Sequence, residues 1–221
     1  MATAKTSTAI TLPRIDIKLM EVHVVGDSPL IVHAWSQKAK RQMLDKQMKR
    51  ATGAKEAKDP IADFSASLYR LPDGGYGFPS VAFKTAAVTA ITSVAGMTKV
   101  AARQAFHILG EDVDVEGAFE GTKARQNLVR LISDEPSMRE DLVRVGMGTA
   151  DLRYRGEFAD WAAKLLIRFN ANVLSEEQIL NIVNVAGFAV GVGEWRPERD
   201  GSYGMFRVAT EDDLARLEGA A

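Results

Sequence analysis

The chain has 221 residues, 46% of them hydrophobic and 26% charged, with no cysteine and a formal net charge of −1. That is enough apolar mass for one domain with a normal core, and the lack of cysteine excludes disulfides, thiolate metal sites and cysteine nucleophiles. No apolar run approaches membrane-span length and no signal-peptide core stands near the N-terminus, so a cytoplasmic protein without membrane contact is the expectation.

Charge is segregated along the chain. Between Ser36 and Lys58 stand eight basic residues (Lys38, Lys40, Arg41, Lys46, Lys49, Arg50, Lys55, Lys58) and two acids (Asp45, Glu56), so this stretch carries +6 and the remainder −7. Such a stretch is either an electrostatic footprint for an anionic partner or a solvated helix face.

Residues 1–14, small and Thr/Ala-rich, read as a flexible arm ahead of one domain over 15–221. From Ile15 apolar and polar residues alternate, predicting a strand with a bulge at Leu19-Met20. Gly26-Asp-Ser-Pro29 ends it, and Leu30-Ile-Val32 reads as a short continuation. Residues 35–70 read as a basic insertion. Within it, residues 35–58 predict a helix with Trp35, Ala39, Met43, Leu44, Gln47 and Met48 near one stripe, and Asp59–Tyr69 a weaker element. The glycines of residues 71–78 predict a tight turn between short strands.

Pro79–Ala95 reads as a small-residue helix packed closely on a sheet, and Thr98–Leu109 as a second helix. Residues 111–127 read as irregular. Leu128–Ile132 and Leu142–Val145 read as strands of a hairpin through Pro136, and residues 151–155 alternate again. Trp161–Ala171 is the best strand of the second half. Ser175 with Gln178 forms a capping box for a helix whose apolar face is Ile179, Leu180, Ile182, Val183 and Ala186. Met205–Val208 reads as a closing strand and Glu211–Leu217 as a last helix. Two strand–helix–strand halves make a split βαβ, or ferredoxin-like, α+β layout.

Between the capped helix and the closing strand runs Gly187-Phe-Ala-Val-Gly-Val-Gly-Glu-Trp-Arg-Pro-Glu-Arg-Asp-Gly-Ser-Tyr-Gly204. Its glycines allow positive φ and close backbone approach to a ligand, while Arg196 and Arg199 offer phosphate donors. Trp195 reads either as an aromatic plug at the sheet's end or as a stacking platform. No Walker A triplet is present, and Gly191-x-Gly193 lacks the third glycine and the strand-to-helix context of a dinucleotide site. No Gly-x-Ser-x-Gly elbow occurs and no two histidines have metal-ligand spacing, so neither cofactor nor metal is expected. His23 and His107 read as structural. His33, after the first strand, is the one candidate acid–base. Asp59 and Asp63 face either a phosphodiester or roles as helix caps and solvated acids.

Three stretches in order carry a resemblance: Ser28-Pro-Leu-Ile-Val32, Phe78-Pro-Ser-Val-Ala-Phe-Lys84, and Gly191-Val-Gly-Glu-Trp-Arg196 with Gly201-Ser-Tyr-Gly-Met-Phe-Arg-Val208. Together they resemble the RAMP superfamily, which includes backbone subunits of CRISPR effector complexes. The helix start lacks the family's glycine after proline, and Thr85 stands where a glycine usually follows the lysine, as in a divergent relative carried by a phage or another mobile element. The resemblance implies a modified RRM-like fold that binds a single-stranded guide and assembles head to tail. It implies that Lys84 meets phosphate, that Gly191, Gly193, Gly201 and Gly204 line the strand, and that the insertion acts as a finger or thumb.

The residues and the resemblance together give a non-catalytic binder of single-stranded RNA or DNA, as a homo-oligomer or head-to-tail filament. Its contacts are expected from Lys38, Lys40, Arg41, Lys46, Lys49, Arg50, Lys84, Trp195, Arg196, Arg199 and the four glycines. The alternatives are a RAMP-type endoribonuclease using His33 and a protein-only assembly subunit whose basic arm docks on an acidic partner.

Overall fold

A computed structural model describes residues 14–50, 57–94, 97–145 and 148–219. The strands are β1 (Ile17–Gly26), β2 (Leu30–Val32), β3 (Gly77–Pro79), β4 (Phe106–Leu109), β5 (Glu111–Glu116), β6 (Lys123–Ser133), β7 (Ser137–Val145), β8 (Thr149–Phe158), β9 (Trp161–Asn170) and β10 (Phe206–Val208). The helices are α1 (Gln37–Gln47), α2 (Pro60–Ser67), α3 (Ser80–Val94), α4 (Lys99–Ala105), α5 (Glu176–Val185) and α6 (Glu211–Gly219). The expected N-terminal arm falls on residues 1–13, outside the described residues, plus Arg14, whose carbonyl accepts from Asn172 Nδ2 at 2.8 Å.

All strand pairs are antiparallel. The larger, seven-stranded sheet follows the path β10-β1-β9-β6-β3, with β4 added on β9 and β5 on β6, and β2-β8-β7 form a second sheet. β9 is the hub because its alternation hides Leu165, Ile167 and Phe169 on one face. It pairs β1 along its whole length, from Ile17↔Asn170 to Val25↔Ala162, without interruption. The bulge expected at Leu19-Met20 is therefore absent. The two apolar neighbours simply face opposite ways, Leu19 outward at 62% exposure and Met20 toward the core. The other edge of β9 is shared, with β4 taking residues 166–169 and β6 taking 161–163.

α3 and α5 cover the inner face. Ala86, Ala87 and Ala90 are buried, so α3 lies close to the sheet and brings Phe83 into an aromatic cluster with Phe78, Trp161 and Phe206. Each such ring contributes about 1.5–3 kcal/mol by burial. The Ser175–Gln178 capping box forms as expected.

Several expectations fail for local reasons. Thr98–Leu109 is not one helix, because α4 gives way directly to β4, whose Phe106 and Ile108 are drawn into the core. Residues 111–127 are mostly strand: β5 and β6 pair from Glu111↔Leu128 to Glu116↔Lys123, with Arg125 and Lys123 on Asp114. β6 and β7 do not form a hairpin, since β6 stays in the large sheet while β7 pairs β8 across nine residue pairs. Leu30–Val32 does not continue β1 but joins β8 in the second sheet. The helix expected over 35–58 is α1 alone, with residues 51–56 and hence Lys55 outside the described residues. Its supposed apolar stripe buries nothing. No helix among the described residues is long and apolar enough to cross a membrane.

Candidate nucleic-acid interface

After α5 a single π turn (Ala186–Val190) leads into the glycine loop, which folds down on the segment between β1 and β2. Gly204 N–H donates to the Pro29 carbonyl (2.8 Å), Glu194 N–H to the Ile31 carbonyl (3.0 Å), and Met205 N–H to Ser28 Oγ (3.0 Å). The Ser28 carbonyl accepts from the Trp161 indole at 2.9 Å. Two positions require glycine for these close approaches. Gly193 has φ +80 and an added Cβ would lie 2.5 Å from the Ile31 oxygen, and Gly204 has φ +64 with the Val192 carbonyl pressed against it. The start of α3 closes the other side: Val81, Ala82 and Thr85 share a cleft of about 320 Å³ with Val190–Glu194 and Arg196. Three stretches distant in sequence thus meet.

His33 and Glu194 form the ridge between this cleft and a second one of about 580 Å³, which Trp35, Lys38, Lys58, Asp63, Arg153 and Tyr154 also line. His33 Nδ1 is 3.5 Å from Glu194 Oε1, and Arg155 Nη2 is 3.7 Å from Glu194 Oε2. The hydrogen bond with His33 holds the Glu194 carboxyl below the ordinary range; burial opposes this and Arg155 reinforces it. Arg155 is itself buried, and Asp141 Oδ2 accepts from its Nη1 at 2.9 Å. Burial alone would raise the Asp141 carboxyl, but hydrogen bonds from Arg139 and Arg155 outweigh it and hold it low. Arg139 completes the chain, bonding Glu157 at 2.7 Å and lying 4.6 Å over the Tyr203 ring of the glycine loop. The charged network therefore joins the second sheet to both ends of the loop.

The residues expected at a site fall into three groups. Gly191, Gly193, Gly201, Gly204, Trp195, Arg196 and Arg199 lie together on the loop, but Gly191, Gly201 and Gly204 pack against the loop's own atoms and Gly193 against Leu30 and Ile31 of β2. Trp195, at 41% exposure and φ +53, is not a core plug. Arg196 is tied to Glu198 (2.7 Å) and the Gly193 carbonyl (3.0 Å), whereas Arg199 is exposed and makes no ion pair among the described residues. Lys38, Lys40, Arg41 and Lys46 lie on α1, with Lys49 and Arg50 just beyond it. This helix is held at its first turn, where Gln37 and Lys40 donate to the Glu116 carbonyl (2.6 and 3.5 Å), and Ser36 caps Ala39 N–H. Lys84 stands apart, 3.1 Å from His107. Asp59 caps α2 through the N–H groups of Ile61 and Ala62, and Asp63 lines the larger cleft.

No protein-family model matches the chain, and no curated protein matches it in sequence. It is similar to a chain in the cryo-EM structure of the type III-B Cmr-beta bound to cognate target RNA, at TM-score 0.48 and 8% identity over 88% of this chain. It spans 59% of that chain's length. It is also similar to Cmr6 from Pyrococcus furiosus, at TM-score 0.42 and 11% identity, over 89% of this chain and 100% of the other.

Sequence reasoning missed Trp35 as an exposed aromatic (62%), Lys58, Arg153 and Tyr154 as cleft walls, and Glu194 as the partner of His33. Among the described residues no group of three or more His, Asp or Glu side chains is placed to hold a metal ion.

Proposed function

We propose that the chain binds single-stranded nucleic acid, RNA in the first instance, as a non-catalytic subunit of a head-to-tail assembly. Its core is ferredoxin-like and of RAMP type: the order β10-β1-β9-β4, with α3 after β1 and α5 between β9 and β10, supports that reading. The observation that carries the function is α1. A helix of 11 residues with none buried contributes little to the core, yet it sets Lys38 in the wall of a cleft beside the exposed Trp35 and carries Arg41 and Lys46 exposed on the same helix. Basic groups for backbone phosphates beside aromatic faces for bases are what a sequence-tolerant single-strand site needs. On this reading residues 35–70 are the basic finger, and the glycine loop adds Trp195 and Arg199, both exposed.

A salt titration tests it. Arg41, Lys46 and Lys49, exposed and unpaired among the described residues, are changed together to alanine. The slope of log K against log salt should flatten by about 0.7 per lost contact, roughly 2 in all. An unchanged slope and affinity would remove α1 from the interface and the proposal with it. Matched ribo- and deoxyribo-oligonucleotides separate RNA from DNA through the 2′-hydroxyl.

One observation favours a second reading, an endoribonuclease. The His33 imidazole is oriented by the ionised Glu194 at the edge of a cleft that also holds Lys58 and Tyr154, an arrangement suited to general acid–base work. Wild-type cleavage of a labelled RNA that disappears in His33→Ala would establish it; uncut RNA with the wild type eliminates it.

A further inference from the structure

A second group of cations lies at the β4 side of the large sheet, outside both clefts: His107 and Arg168 on the face away from α5, with Lys84 of α3 and Arg103 of α4 beside them. In the antiparallel register Leu19, Arg168 and His107 stand in one row across β1, β9 and β4, so they share a face. Lys84 reaches His107 from α3, its Nζ 3.1 Å from Nδ1. β4 has no strand on its outer edge among the described residues. Arg103 of α4 is close enough to Lys84 to repel it.

This cluster contains no carboxylate. Neither His107, Lys84, Arg103 nor Arg168 makes an ion pair among the described residues, while Glu21 on the same face is taken by Lys164 at 3.3 Å. Gathering like charges without a counter-charge opposes folding. The like charges act on the protonation equilibria after burial. Burial and then Arg103 push the Lys84 ammonium down, and burial, Lys84 and Arg168 do the same to the His107 imidazole.

The hydrogen-bond chemistry points the same way. A lysine ammonium only donates, so His107 Nδ1 is its acceptor and the neutral ring carries its proton on Nε2. The remaining ammonium hydrogens, the Nε2–H and two guanidinium groups are then all donors, with no acceptor among them. Beside them lie Leu19 and Ile17, 62% and 55% exposed on the same face.

We infer that Lys84, Arg103, His107 and Arg168 form a phosphate site, and that Ile17 and Leu19 beside it take the sugar or base of the same nucleotide. The nucleic-acid half rests on the function proposed above; the anion half does not. Phosphate supplies the missing counter-charge and accepts from every donor present. As Lys84 turns from the ring to the phosphate, His107 Nδ1 is freed to take up a proton, so binding tightens as pH falls through the His107 value of the complex, against a background of Lys84, Arg103, Arg168 and the Lys164–Glu21 pair.

The test follows His107 by NMR pH titration in the full chain, with inorganic phosphate as probe, beside Arg168→Gln and His107→Gln. Phosphate should raise the His107 midpoint by about one unit, and Arg168→Gln should erase the rise without lowering the melting temperature. Oligonucleotides with and without a 5′-phosphate then locate the source. A roughly tenfold loss in Arg168→Gln for both supports an internal phosphodiester, and a loss only for the phosphorylated one supports a strand end. No movement of His107 with phosphate overturns the site. Movement with phosphate but unchanged oligonucleotide affinity in Arg168→Gln overturns the nucleotide assignment. If the wild type binds phosphate here but no nucleic acid, the site stands and the proposed function falls.

Discussion

Gly193→Ala places a methyl group where the glycine loop lies against β2. The backbone there has φ +80, and the new Cβ would fall 2.5 Å from the Ile31 oxygen and 2.8 Å from Leu30 Cδ1. The left-handed backbone costs an alanine about 1–2 kcal/mol. Relieving the overlap lifts the loop and loosens the Glu194 N–H bond to Ile31, now 3.0 Å, which adds roughly 0.5–1.5 kcal/mol. The total is about 1.5–3.5 kcal/mol, or a fall of roughly 3–14 °C in Tm for a chain of this size. Gly74 is the control, because its φ is +89 but nothing lies within 4 Å of an added Cβ. Gly74→Ala should therefore show the backbone cost alone. Urea and thermal unfolding followed by circular dichroism measure both variants. Equal losses in the two would refute the claim that contact with Ile31 makes glycine necessary at 193.

Asp141→Asn removes the 2.9 Å carboxylate partner of Arg155, 2% exposed, and leaves it only Glu194 at 3.7 Å, which should cost about 3 kcal/mol in the same unfolding assay. The Asp141 carboxyl is held below its ordinary value in the fold. Its stabilisation is therefore present above the unfolded value of about 3.9 and is lost as pH falls toward the lower folded one. Wild-type stability should drop below about pH 4, and the Asn variant should drop less over that range. Trp35→Ala and Trp195→Ala, at exposed positions, should each weaken single-strand binding by about 1–3 kcal/mol if they stack on bases. Fluorescence titration reads this directly, and unchanged affinity in both would show that neither is a base platform.

Much of the frame was legible because periodicity and caps agreed. β1, β9, the small-residue helix α3 and the boxed start of α5 all stand where alternation, spacing and capping put them. β4 was not, because Lys99–Leu109 contains neither glycine nor proline at the change from helix to strand, and Gly110 comes only after the strand ends. Glu111-Asp-Val-Asp-Val-Glu has the period of a strand but the acidity of a loop. It is held as a strand by the ladder with β6, the burial of Val113, and Lys123 and Arg125 on Asp114. The loop's glycines were read as room for a ligand, whereas much of that room is filled by the chain's own carbonyls. The His33–Glu194 pair and the buried Arg155 depend on contacts between segments remote in sequence, which local pattern does not report.

Among the described residues, both neighbours of β1 come from the far end of the chain. β9 flanks it on one side and β10 on the other, and both follow residue 160. Closing that pairing means joining segments more than a hundred residues apart, and such contacts slow folding because the entropy of loop closure is met before they form. During synthesis β1 therefore waits with both edges open, and Ile17 and Leu19 on its outer face make the wait hazardous. The strand that links β9 to β10 in the finished sheet is thus among the last to find its partners.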